Sequence, residues 1–140
     1  MTATLAPTYL KFANLQMAAE AILSNFNYST PDGLLAALKF GNNRASKFTD
    51  VLAHQFIADG WVVAAHQANA GTGFSGTLFR YNGTTDPSQG LVNGELVLSF
   101  RSTEFIDDVA RDNQATNTME LKPFGWAFGQ MADASSIRWL

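Results

Sequence analysis

The chain has 140 residues, a formal net charge of −3 and no cysteine. This length fits a single domain that buries about two-thirds of its unfolded surface, and 46% hydrophobic against 15% charged residues predicts a folded chain. The absence of cysteine excludes disulfides, thiolate metal sites and a cysteine nucleophile. Because no cluster of lysine and arginine is available to neutralise phosphates, nucleic-acid binding is not expected.

The N-terminal segment, residues 1–16, lacks a basic stretch followed by an apolar one, so no ordinary secretory signal is predicted. No run approaches the length of about 18 apolar residues that a membrane span needs, so none is expected. The compartment stays open between the cytoplasm and export without a cleaved N-terminal signal.

The first 59 residues predict three helices. Apolar residues recur near the 3.6-residue helical period between residues 7 and 26. Pro31 predicts the start of a second helix, which Gly41 ends, and Ser46 is expected to cap a third. The residues expected to face inward include Leu10, Leu15 and Ala18 on the first helix and Phe48, Val51, Leu52, Phe56 and Ile57 on the third.

The middle of the chain, residues 60–101, predicts β structure. Residues 61–67 and 75–81 have the pattern of an antiparallel hairpin that turns near Ala70. Residues 96–100 are nearly all apolar, which is typical of a strand covered on both faces. Residues 102–140 are expected to be mostly helical. The fold class is therefore α+β or a truncated α/β, in one domain spanning 1–140.

The most specific pattern lies between Gly94 and Met131. An apolar strand runs into Phe100-Arg101-Ser102-Thr103, and an acid-rich stretch and an aromatic, glycine-punctuated segment follow. This pattern resembles the early core of lipase-type α/β hydrolases, where a strand enters an F-R-G-[ST] turn. Residues 72–81 and 111–133 are also similar to the N-terminal regions of large bacterial lipases with calcium-binding C-terminal repeats.

The resemblance implies that Ser102 and Thr103 help to form an oxyanion hole, whose donors stabilise developing negative charge. Ser102 stands where the family has glycine. No G-x-S-x-G serine motif occurs, and no histidine follows His66. The chain therefore resembles an N-terminal part of a hydrolase that stops before the catalytic serine. The alternative is a polar strand exit in which Arg101 pairs with a nearby acid.

A different catalytic pair is available in the hairpin. If it turns near Ala70, His66 and Ser75 lie opposite each other with their Cβ atoms about 5 Å apart, within reach of a hydrogen bond. His66 would then act as the base and Ser75 as the nucleophile, with an acid from residues 107–112 orienting the base. The alternative is a partly exposed strand histidine and a turn serine.

The acidic residues after the third predicted strand suggest a cation-binding site. Glu104, Asp108 and Asp112 fall at i, i+4 and i+8 and share one side of a helix if the segment is helical. With Asp107 they supply the oxygen ligands that calcium prefers. A metal-bound water would then replace the serine nucleophile. The alternative is a solvated acidic face.

These features predict a hydrolase of carboxylic esters, lactones included, with calcium as its candidate cofactor. The competing interpretation is a non-catalytic, truncated hydrolase domain that serves as an oligomeric binding module. A third is a structural N-terminal domain of a longer exported protein. The aromatic residues of 124–139 and the edge of the last strand predict association into a homo-oligomer.

Overall fold

The computed structural model describes residues 5–42, 47–68 and 74–101. The fold is α+β, and the described residues form three helices and one three-stranded antiparallel sheet. The elements are α1 (Leu5–Glu20), α2 (Pro31–Phe40), α3 (Asp50–Asp59), β1 (Trp61–Gln67), β2 (Gly76–Tyr81) and β3 (Leu96–Phe100). Short 3₁₀ turns at Leu23–Asn25 and Pro87–Gln89 lie in the connections. The helices expected after residue 101 lie outside the described residues.

Threonine caps begin both α2 and α3. Thr30 Oγ1 accepts the Gly33 N–H at 3.1 Å, and Thr49 Oγ1 accepts the Leu52 N–H at 3.2 Å. Each hydroxyl satisfies an N–H that has no partner within its own helix. The prediction that Ser46 caps the third helix is therefore wrong, because a capping side chain serves the helix that starts directly after it.

The sheet has the order β1-β2-β3 with antiparallel pairing throughout. β1 pairs Trp61 with Tyr81, and the register then shifts at an irregularity between Val63 and Ala65. β3 pairs with β2 without interruption, from Gly76 opposite Phe100 onward. The predicted hairpin strands and the third strand are confirmed, while the hairpin turn, residues 69–73, lies outside the described residues.

The helices pack on one face of the sheet, which we call the inner face. Phe79 lies at its centre and is fully buried, with the Phe56 ring of α3 edge-on at 6.0 Å between ring centroids. The Trp61 ring extends this aromatic cluster. Its centroid lies 6.5 Å from that of Phe56 and 5.1 Å from that of Tyr81. Such aromatic pairs stabilise a core beyond the area they bury.

Some residues expected in the core are exposed. Leu10 on α1 and Val51 and Leu52 on α3 all lie at the surface. α3 has ten residues and buries only Ala53 and Phe56. Because this short helix contacts α2 and β1 along one narrow side, the broader apolar stripe in its sequence is not accommodated.

The opposite, outer face of the sheet is also apolar but is half exposed along β3. Leu96, Leu98 and Phe100 are 50%, 41% and 47% exposed, whereas Leu78 on the central strand is 7% exposed. The expectation that β3 is covered on both faces is therefore wrong for the described residues. The alternation of a strand explains the pattern, because Val97 and Ser99 point to the inner face and their neighbours to the outer one.

Two long-range contacts hold α1 along β3. Lys11 Nζ donates to Gly90 O at 2.7 Å and to Glu95 Oε1 at 2.8 Å, just before the strand begins. At the far end, Gln16 Nε2 donates to Phe100 O at 2.7 Å. The Lys11 side chain is only 7% exposed, so its ion pair is poorly screened by water.

The burial of Lys11 predicts that substitutions of Lys11 and Lys39 lower the stability of the protein by unequal amounts. We expect Lys11→Met to lower the free energy of unfolding by about 2–3 kcal/mol, because it leaves Glu95 and Gly90 O without their donor. Lys39→Met breaks the pair of Lys39 with Asp50, whose side chains are 46% and 62% exposed, and should lower the free energy of unfolding much less, because water screens this pair. Urea denaturation of both variants measures the difference, and equal losses would contradict it.

Candidate functional site

The structure places His66 opposite Thr77 rather than opposite Ser75. His66 Nδ1 lies 2.9 Å from Thr77 Oγ1, while the Ser75 hydroxyl donates to Gln67 O at 3.0 Å. The predicted opposition of His66 and Ser75 is therefore wrong. The irregularity in β1 changes the pairing that a simple turn near Ala70 would produce.

The surroundings of His66 keep its ring uncharged at neutral pH. Burial, together with the positive charge of Arg101, lowers the pKa of His66 to about 4. The Tyr28 ring packs edge-on with a centroid distance of 5.4 Å. A neutral imidazole has one nitrogen that donates and one that accepts, so His66 can accept a proton, although its lowered pKa makes it a weaker base than an ordinary histidine.

The hydroxyls near His66 are closed to solvent. Ser75 is 3% exposed and Thr77 is 1% exposed. A nucleophile has to reach the substrate as well as its base, and neither oxygen meets that requirement in this arrangement. Thr77 was missed by the sequence reasoning, although the period-2 alternation with Phe79 and Tyr81 places it on the inner face.

The Tyr28 ring also lines a cleft. The cleft has a volume of about 90 Å³ and lies between the start of α2, the end of α3 and β1. Its walls combine apolar side chains with polar groups and are formed by Tyr28, Ser29, Thr30, Pro31, Leu34, Ile57, Trp61, Val62 and Val63. This mixture is typical of small-molecule sites.

The remaining predicted site residues are Ser102, Thr103, Glu104, Asp107, Asp108 and Asp112, and all of them lie outside the described residues. The oxyanion and calcium assignments therefore stay predictions. Within residues 5–42, 47–68 and 74–101, no group of three or more histidine, aspartate or glutamate side chains is placed to hold a metal ion.

The edge of β3 is a second candidate site. Tyr81 N–H donates to Glu95 O at 2.9 Å and Arg101 N–H donates to Ser75 O at 3.0 Å. Since antiparallel ladders alternate, the odd-numbered residues of β3 direct their backbone groups to β2, and the even-numbered ones direct theirs outward. The Gln16 contact with Phe100 O agrees with this direction.

We define the β3 surface as the side chains and outward backbone groups of Leu96, Leu98 and Phe100. In the part of the chain that the structure describes, β3 pairs with β2 alone. The β3 surface therefore combines large apolar side chains with a row of backbone donors and acceptors that an extended segment can pair with.

Comparisons with known proteins add no family. No protein-family model, curated protein or solved structure matches the chain. The lipase resemblance therefore stays a prediction. The described helices include none that is both long and apolar enough to cross a membrane.

The lowered pKa of His66 predicts a pH dependence of stability. The unfolded chain binds a proton at the ordinary histidine pKa of 6.5, whereas the folded protein does so only near pH 4. Stability is therefore fully present above about pH 6.5 and falls as the pH drops toward 4. We expect His66→Asn to flatten this decline in urea denaturation between pH 4 and 7.5.

His54→Asn is the matched control, because His54 is exposed on α3. It should leave the decline unchanged. If His66→Asn showed the same slope as the control and the unchanged protein, His66 would not be the group that resists protonation.

Proposed function

We propose that this chain works as an interaction module that assembles with a second copy of itself through the β3 surface. This is the oligomeric binding module that the sequence analysis gave as the alternative to catalysis. One observation carries the proposal, namely that the outer side chains of an edge strand are apolar and half exposed together.

Such an edge favours pairing. Native sheets usually protect edge strands with charged side chains, proline or bulges. Leu96, Leu98 and Phe100 supply none of these along the outer face of β3. Pairing with another strand removes apolar area from water, which is favourable by about 25 cal/mol per Å², and it exchanges water for backbone hydrogen bonds of regular geometry.

A second copy of the chain is the partner that these residues match best. Every copy presents the same strand, and a twofold interface is self-complementary by construction. In an antiparallel copy the apolar side chains of Leu96, Leu98 and Phe100 meet the same three apolar side chains, so the β3 surface matches its own sequence.

The proposal predicts a concentration-dependent dimer. We expect Leu98→Lys to raise the dimer dissociation constant at least tenfold, because a charge at this edge opposes pairing. Val51→Lys is the matched control, since Val51 is 76% exposed on α3, and it should leave the constant unchanged. Sedimentation velocity over a concentration series measures both, and a protein that stays monomeric throughout would overturn the proposal.

Ester hydrolysis is the second candidate function, and it is supported by an uncharged His66 ring in contact with Tyr28, which lines a cleft. His66 would act as the base. The cleft beside Tyr28, with Leu34 and Val63 in its walls, would hold a short acyl chain. In this proposal Ser102 and Thr103 bind the oxyanion, and Ser75, whose hydroxyl is closed to solvent and donates to Gln67 O, is not the nucleophile. A calcium ion on Glu104, Asp107, Asp108 and Asp112 would activate water instead of Ser75.

This candidate is tested by the turnover of a short-chain acyl ester and an acyl lactone, each with EDTA and with added calcium. We expect His66→Asn to lower turnover about 100-fold or more, as removal of a general base does, while His54→Asn keeps it. Loss of turnover in EDTA would assign the reaction to the 104–112 acids. Absence of turnover in every arm would overturn the hydrolase proposal for these substrates.

A further inference from the structure

We infer that the two copies pair their β3 strands antiparallel about a twofold axis at Leu98, so that two three-stranded sheets become one continuous sheet. This inference rests on the proposed function and adds the register of the interface. It follows from the order of residues along β3, the direction of its backbone groups and the side of α1 that lies nearest to it.

The side chains of β3 match themselves in this register. Leu98 faces Leu98 of the second copy, and Leu96 faces Phe100. Apolar pairs are a favourable cross-strand combination. Sliding the strands so that the axis falls at Val97 instead places Phe100 opposite Gly94, which has no side chain to pack against it. The axis at Leu98 is therefore favoured.

The backbone is compatible with this register. The outward N–H and C=O groups of Leu96, Leu98 and Phe100 all meet outward groups of the second copy, because an axis at a residue pairs even-numbered residues with even-numbered ones. Phe100 O already accepts from Gln16. A carbonyl oxygen has two lone pairs, so it also accepts the backbone N–H of the second copy's Leu96.

Among the described residues, exposure on the outer face follows the number of neighbouring strands. Leu78 and Leu98 are paired in the β2–β3 ladder and point to the same face. Leu78 has a described strand on either side and is 7% exposed, whereas Leu98 has one described neighbouring strand and is 41% exposed. Pairing at the edge gives Leu98 its second neighbour.

α1 provides an independent observation. Gln16 reaches Phe100 O, so its side of the helix is the one nearest the β3 edge. Leu5, Tyr9 and Phe12 lie on that same side by helical spacing, and they are exposed although they are large and apolar. A twofold axis perpendicular to the sheet keeps both α1 helices on one side, and this stripe then meets the second copy's α1.

The register is tested by cysteine cross-linking, which is clean because the chain has no cysteine. In Leu98→Cys the two Cα atoms would lie about 5.5 Å apart, within the range that a disulfide spans. Mild oxidation should therefore convert the dimer to a covalent one. Leu96→Cys alone should not cross-link, since its two copies would be about 14 Å apart, but a mixture of Leu96→Cys with Phe100→Cys should.

The α1 stripe is tested separately by charge. We expect Phe12→Lys to raise the dimer dissociation constant at least tenfold. Leu10→Lys is the matched control, because Leu10 is 62% exposed on another side of the same helix, and it should have no effect. An equal effect of the two variants would overturn the contact between the α1 helices.

The outcomes separate the register from the proposed function. A dimer in sedimentation velocity that fails to cross-link through Leu98→Cys, or cross-links through Leu96→Cys alone, would overturn the register and keep self-assembly. A monomer at every concentration would overturn both. If the protein is a monomer and its Leu98 amide is nevertheless protected from hydrogen exchange, we would conclude that residues 102–140 of the same chain cover β3.

Discussion

The contact between the helices and the inner face of the sheet is the interaction on which the rest of the structure depends. Its centre is Phe79, which is fully buried and meets Phe56 of α3 edge-on. The described helices all lie on this side, so the inner face is sealed while the outer face is half exposed along β3. This asymmetry places His66 and Thr77 on the protected side and Leu98 on the open one.

Burial at the inner face limits the chemistry available there. With the charge of Arg101 it lowers the pKa of His66 to about 4, which keeps the ring uncharged but makes it a weak base. The same burial closes the Thr77 and Ser75 hydroxyls to solvent, which does not suit a nucleophile. The cleft that Tyr28 lines gives the hydrolase proposal a place for its substrate.

The β3 strand joins the two candidate functions because its residues alternate between the faces. Val97 and Ser99 complete the inner face, and Leu98 with its neighbours forms the β3 surface. Lys11 and Gln16 hold α1 along the strand, so the open edge and the apolar stripe of α1 face the same direction. A protein partner at this edge would therefore meet a surface built from two elements.

The sequence by itself determined the class of each described helix and strand, because helix caps and apolar periodicity are local. Thr30 and Pro31 mark the start of α2, and the run from Leu96 marks β3. Only the tertiary structure decided which residues face each other. The irregularity after Val63 sets His66 against Thr77, and Lys11 finds Glu95 across 84 positions. Such pairings depend on which elements meet in the folded chain. The exposure of β3 depends on how many elements cover the sheet. Neither can be predicted from a local sequence pattern.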